Sequence, residues 1–165
     1  MIRAIVAMDD CRGIAIGQKI PWDAPDDRRH FRALTINSTV LMGYRTYETL
    51  LKPLTRRRNV VWCRQGSILK DGFEQIHDLA AFLHHQEIDV WVMGGGGLYQ
   101  EALPYCEELH ITQLAGDYHC SVFFPKFEDQ FEQVGRKVEA PNRTYTIWRR
   151  KATSAVNETE SHRIT

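Results

Sequence analysis

The sequence predicts an α/β fold: a mixed, mainly parallel central sheet flanked by helices and closed by a C-terminal antiparallel hairpin. Two observations carry that expectation. Short apolar runs rich in Val and Ile alternate with stretches of helical period, as they do where crossover helices join parallel strands. Near the end, two strand-like runs flank the turn cluster Ala140-Pro141-Asn142-Arg143, which brings neighbouring strands together antiparallel.

The first apolar run, Ile2–Met8, reads as the opening strand. Pro25 suits the first position of a helix over Pro25–Thr35, because an N–H there would have no helical partner, and Asp26 and Asp27 complement the positive end of the helix dipole. Thr39–Met42 is the next strand, followed across Gly43 by a helix over Arg45–Leu51. Asn59–Trp62 and Phe73–Ile76 are further strands, and Leu79–His85 has helical period. Val90–Met93 leads through Gly94-Gly95-Gly96-Gly97 into a helix over Leu98–Leu103. Leu109–Leu114 is the last strand before the hairpin of Phe131–Val138 and Tyr145–Arg150.

At 165 residues the chain fits one domain, and a domain of that size buries roughly 70% of the surface its unfolded chain exposes. The expected domain spans residues 1–151, and the polar stretch 152–165 is expected to be a mobile tail. Lys plus Arg and Asp plus Glu both total 21, so no global field draws the protein to nucleic acid or an anionic membrane. The clean apolar stretch Ala4 to Met8 is too short for a signal-peptide core or a spanning helix, so a cytoplasmic protein is expected; a monomer is expected too, although no sequence feature settles the oligomeric state. Cys11, Cys63, Cys106 and Cys120 form no CxxC pair and read as reduced thiols, and the seven histidines offer no HExxH, so no metal is expected.

The strongest local chemical signal is the strand, glycine turn and helix of Val90 to Glu101. Four glycines let a backbone come close to a ligand, and the free N–H groups at a helix start form an anion site suited to phosphate. The pattern is not GxGxxG, which would need glycine at Tyr99. Gly43-Tyr44-Arg45-Thr46 offers a second such corner with a guanidinium, and two anion cradles suggest a dinucleotide. Arg64, just past the strand ending at Trp62, is placed to meet a further phosphate on an adenosine ribose.

The helix from Pro25 holds the candidate catalytic group. Asp27, Phe31 and Leu34 fall at i, i+4 and i+7, so Asp27 heads the apolar stripe while Asp26 belongs with Arg29 on another face. A carboxylate beside Phe31 and under Trp22 loses hydration and needs a partner. A ring with an amidine-like pair of N–H groups would supply one; a helix-end role would account for the same two aspartates equally well.

Together these residues resemble dihydrofolate reductase from Ile2 to about Arg150. The resemblance rests on Ile20-Pro21-Trp22, Pro25-Asp26-Asp27, His30-Phe31-Arg32, Val40-Leu41-Met42-Gly43 with Thr46, Pro53-Leu54 with Arg57, and Asn59-Val60-Val61. Gly94-Gly95-Gly96 with Tyr99, Leu103-Pro104, Ile111-Thr112 and Phe124-Pro125 complete it in order and spacing. It implies reduction of 7,8-dihydrofolate to tetrahydrofolate by NADPH, with hydride passing to pterin C6 and a proton to N5.

By the same resemblance, Asp27 grips the pterin, Thr112 shares its hydrogen-bond network and Trp22 helps hold ordered water. Ile5, Ala7, Phe31, Leu50 and Leu54 are implied pocket walls, Arg57 the partner of the folate glutamate carboxylate, and Arg28 a residue at the pocket mouth. On the cofactor side it implies Gly43, Arg45, Thr46, Gly95, Gly96 and Gly97 as the pyrophosphate cradle, with a cis bond between Gly95 and Gly96. Ile14–Ile20 is the implied lid, and Ala7, Ile14, Ile20, Met93, Leu98 and Tyr99 complete the cofactor surface. Tyr44 stands where the family is commonly basic and Cys63 where it often has a hydroxyl, which leaves NADPH preference to Arg64 and Arg45. Cys120-Ser121 replaces a loop that is often acidic, so the partner of the lid is not evident. The pyrimidine reductase of riboflavin synthesis has a similar fold but lacks the Trp22, Asp27 and Arg57 set, and a non-catalytic nucleotide-binding module would need only the glycine cradle.

Overall fold

A computed structural model describes residues 1–22, 25–85 and 89–152; residues 153–165 of the expected tail lie outside them. In chain order the strands are Ile2–Met8 (β1), Gly13–Ala15 (β2), Thr39–Gly43 (β3), Arg58–Trp62 (β4), Phe73–Ile76 (β5), Val90–Val92 (β6), Glu108–Leu114 (β7), Val122–Phe123 (β8), Phe131–Ala140 (β9) and Arg143–Arg150 (β10). The helices are Pro25–Thr35 (α1), Tyr44–Glu48 (α2), Leu79–His84 (α3) and Gly96–Ala102 (α4), and a 3-10 turn over Leu103–Tyr105 extends α4. The main sheet runs β5-β4-β3-β6-β1-β7-β10-β9. The first six strands are parallel, and β10 pairs antiparallel with both β7 and β9.

Alternation along the strands divides the core between two faces. Val6, Leu41, Val60, Val92 and Ile111 pack under α3 and α4 with Phe124, Phe127 and Phe131. On the other face Val40, Met42, Val61 and Trp91 meet Phe31 and Leu34 of α1 and Tyr47 of α2, with Ile5, Leu50 and Leu54. Each such side chain contributes about 1.5–3 kcal/mol when fully buried. Helix α1 packs on this second face, where Asp27 reaches Thr112 of β7, and that contact positions the site.

Two expectations are corrected. Among the described residues the short strands β2 and β8 pair only with each other; they differ from the expectation because two or three residues carry no readable period. The helix α2 stops at Glu48 rather than Leu51: the Thr49 hydroxyl bonds back to the Thr46 carbonyl at 2.6 Å and the Leu50 N–H to the Tyr47 carbonyl, so the last turn tightens and ends.

Candidate active site

On α1 the two aspartates part company. Asp26 faces outward, paired with Arg29 and with Arg143 at 3.2 Å. Asp27 turns toward the sheet, where its Oδ1 accepts a hydrogen bond of 2.7 Å from the Thr112 hydroxyl. Thr112 is 4% exposed, and β7 registers it against Ala7 of β1 on one side and Tyr145 of β10 on the other. The two residues are 85 positions apart and meet only because α1 crosses β7. Half-buried Trp22 lies edge-on to Tyr118, ring centres 5.2 Å apart.

Ile5, Phe31, Leu50 and Leu54 gather in one apolar cluster beside this pair. Arg57 closes its far side, donating to the Thr35 hydroxyl through Nη1 and to the Thr55 carbonyl through Nε, both at 3.0 Å, with its guanidinium over the Phe31 ring. Burial, helped by the neighbouring Arg32 charge, lowers its pKa. Arg32 itself donates to the Thr55 hydroxyl at 3.1 Å. Arg28 is exposed on α1.

The two glycine corners abut. The Gly43 N–H donates to the Gly94 carbonyl at 2.8 Å, so the amides available to an anion at that corner begin at Tyr44. A Cβ on Gly95 would lie 3.8 Å from the Thr46 hydroxyl, whereas one on Gly96 would come within 2.7 Å of Val122. Gly96 is therefore bare for packing against β8, and Gly97 has open space around it. The cis bond falls between Gly94 and Gly95, one residue before the expected position; the register of the four glycines was misassigned by one. No side chain caps α2 or α4. Tyr99, fully buried, donates its hydroxyl to the Ile5 carbonyl at 2.6 Å, and burial raises its pKa. Leu98 is buried in the core of the other face, while Met93 is half-buried.

Past β4, Tyr44, Cys63, Arg64 and Ser67 line a cavity of about 380 Å³. The Arg64 side chain is exposed there, and the Cys63 thiol is directed at the Val61 carbonyl. Arg45 is exposed nearby on α2. The cavity thus joins a guanidinium to the start of α2 at Tyr44, groups suited to an anion.

The segment expected as a lid begins in a buried root. Ile14 is 7% exposed and packs into the core, while Ile20 at the other end is 64% exposed. Ser121 partners the segment twice: its hydroxyl accepts the Gly17 N–H and its N–H donates to the Ala15 carbonyl, both 2.9 Å. Asp9, 1% exposed, accepts the N–H groups of Cys11, Gly13 and Tyr118 at 2.9, 2.7 and 2.9 Å. Burial alone would raise its pKa, but those three amides outweigh it and hold the carboxyl below its ordinary range. Sequence reading misses Asp9 and Tyr118, an aspartate directly before an irregular segment being the one available signal; it names Cys120-Ser121 as standing at the lid partner's position but does not assign Ser121 that part.

A family model described as dihydrofolate reductase matches residues 1–151. The chain is 38% identical over 117 residues to a dihydrofolate reductase of Mycobacterium tuberculosis (strain ATCC 25618 / H37Rv), covering 69% of this chain and 71% of the relative. It is 31% identical over 135 residues to a dihydrofolate reductase of Staphylococcus aureus (strain Mu50 / ATCC 700699), covering 82% and 84%. A solved dihydrofolate reductase from Enterococcus faecalis, complexed with NADP(H) and RAB-propyl, superposes with a TM-score of 0.83 at 25% identity, covering 92% of this chain and 97% of the other.

Proposed function

The chain belongs to the dihydrofolate reductase family and is an NADPH-dependent oxidoreductase, and we propose that it reduces 7,8-dihydrofolate at pterin C6 and N5 with Asp27 as the group that holds the pterin. The observation carrying this reading is the inward Asp27 carboxylate, already oriented by Thr112 and walled by Ile5, Phe31, Leu50 and Leu54. A flat heterocycle with adjacent N–H donors would complete its hydrogen bonding, and the apolar walls would exclude water from the charged contact. NADPH, when bound, would supply the hydride, and Trp22 would help hold the water through which a proton would reach N5. Asp27 anchors and polarises the ring, and the acceleration comes mainly from positioning and preorganised charge.

The cofactor's phosphates would be met by the helix starts at Tyr44 and Gly96 with Arg45, Thr46 and Gly95, and its ribose phosphate by Arg64 in the cavity with Tyr44, Cys63 and Ser67. Balanced charge supports a small-molecule enzyme that binds no nucleic acid, and we read it as a cytosolic monomer forming one domain over residues 1–151. The test is loss of NADPH absorbance on adding dihydrofolate. Turnover with the pyrimidine of riboflavin synthesis alone would reverse the substrate assignment.

Arg57 is the group proposed to pair with the glutamate carboxylate of folate. Arg57→Ala should raise KM for dihydrofolate roughly 10- to 50-fold, the value of a charged hydrogen bond of about 1.5–2.5 kcal/mol, and leave the NADPH Kd nearly unchanged. Equal losses for both ligands, measured by steady-state kinetics and fluorescence titration, would contradict the assignment. Ser121 is proposed to latch the lid. Ser121→Ala removes one exposed hydrogen bond, so NADPH Kd should rise about two- to fivefold while Tm stays within a degree or two; an unchanged Kd would remove the latch from the proposal.

A further inference from the structure

Behind the Asp27–Thr112 pair, on the same face of the sheet, lies a buried polar chain that the proposed reaction does not use. His110 stands two residues before Thr112 on β7 and is 7% exposed; Tyr145, the register partner of Thr112 on β10, is 9% exposed. The Tyr145 hydroxyl is hydrogen-bonded to His110 Nδ1, and His110 Nε2 lies 3.1 Å from Glu108 Oε1. Glu108 is held in turn by Arg3 Nε at 3.0 Å and Arg149 Nη2 at 3.4 Å.

The donor directions are determined. A carboxylate can only accept, so in the neutral imidazole Nε2 carries the proton, Nδ1 accepts, and the Tyr145 hydroxyl donates. Burial lowers the His110 pKa despite Glu108, and burial raises that of Tyr145, both of which favour the neutral imidazole and the protonated phenol that this direction requires. Arg3 and His30 also face the imidazole, and Trp91 lies edge-on to it at 4.9 Å.

The other side of the Tyr145 ring meets α1. The His30 ring packs against it, ring centres 4.2 Å apart and nearly perpendicular, and His30 is one helical turn beyond Asp27. Tyr145 is therefore paired in register with the strand residue Thr112 and packed against the helix that presents Asp27. An apolar pair would fill this volume without hydrogen-bond bookkeeping, whereas a fully satisfied polar chain selects one ring orientation.

We propose that Tyr145 and His110 are positioning residues for dihydrofolate reduction: the chain Tyr145–His110–Glu108–Arg3 fixes the tyrosine ring that sets Asp27 and Thr112 at their mutual distance. The inference rests on the reading of Asp27 as the pterin anchor. Tyr145→Phe keeps the ring and removes its tether; His110→Leu keeps much of the volume and removes the acceptor; His110→Gln restores an acceptor toward Tyr145 and a donor toward Glu108.

The experiment measures KM and kcat for dihydrofolate, NADPH Kd and Tm for these three variants and for Asp27→Asn. Tyr145→Phe and His110→Leu should raise KM for dihydrofolate about fivefold with NADPH Kd within twofold, the worth of one hydrogen bond, and His110→Gln should return KM to within twofold of wild type. An unchanged KM in Tyr145→Phe overturns the inference, as does His110→Gln behaving like His110→Leu or NADPH affinity falling in parallel. Should His110→Leu not fold, Tyr145→Phe and His110→Gln decide between these results. Full turnover in Asp27→Asn would overturn the anchor itself; lost turnover there, beside wild-type KM in Tyr145→Phe, would sink only the positioning role.

Discussion

Replacing Asp27 by Asn is expected to lower kcat/KM for dihydrofolate roughly 10²- to 10³-fold, with NADPH affinity within twofold of wild type. One carboxylate oxygen already accepts from Thr112 at 2.7 Å, which leaves the other oxygen for a ligand's paired N–H groups. The amide has nearly the same shape, so α1 and the Thr112 contact are preserved. One acceptor, however, becomes a donor. If the carbonyl stays on Thr112, the amide NH₂ is turned toward the pterin donors; if the group flips, the Thr112 hydroxyl must reorient and accept instead. A charge-assisted pair is worth about 1.5–3 kcal/mol, and opposing donors in a water-poor site add to that loss. A total of about 3–4 kcal/mol converts to the stated range. Single-turnover kinetics with saturating NADPH provides the check, and turnover within tenfold of wild type would remove Asp27 from the centre of the reaction.

What the sequence revealed and concealed follows from the range of the interactions. The helix α1 and the strands β1 and β5 match their expected bounds, because Pro25, the first-turn aspartates and unbroken apolar runs are local signals. The phase of α1 likewise separated Asp27 from Asp26 before any fold was known. The Thr112 partner has no local signal, since it depends on β7 registering beside β1; only the family resemblance named it. The cis bond was misplaced by one because four identical glycines offer no internal marker of register. The polar chain needs Arg3 and Tyr145 brought to Glu108 and His110 from distant strands, and the cage around Asp9 takes two amides from its own turn but the third from Tyr118, 109 positions on.

The three amides around Asp9 make its charge a large contributor to stability. Asp9→Asn should cost about 3 kcal/mol of stability and flatten the acid limb of the stability curve. In the wild type, Oδ1 takes the Cys11 and Gly13 amides while Oδ2 takes the Tyr118 amide, tying the root of the lid to the loop before β8. An asparagine can present one oxygen to two of these amides but must oppose the third with its own NH₂, leaving buried donors unpaired at roughly 1–3 kcal/mol each. Position 13 has to be glycine for this approach, since a Cβ there would lie 3.0 Å from Asp9 Oδ1 and 2.5 Å from the Cys120 Cβ. The pH dependence follows from the lowered carboxyl pKa. A group depressed in the folded state contributes stability that is complete above its unfolded value, about 3.9 for aspartate, and is lost as pH falls toward the folded value. Urea unfolding from pH 7 down to pH 3 should therefore show a steeper decline below about pH 4 in wild type than in Asp9→Asn, the two curves converging as acid protonates the wild-type carboxyl. A constant gap between them across that range would mean that Asp9 acts by shape alone and that its charge is not what grips the three amides.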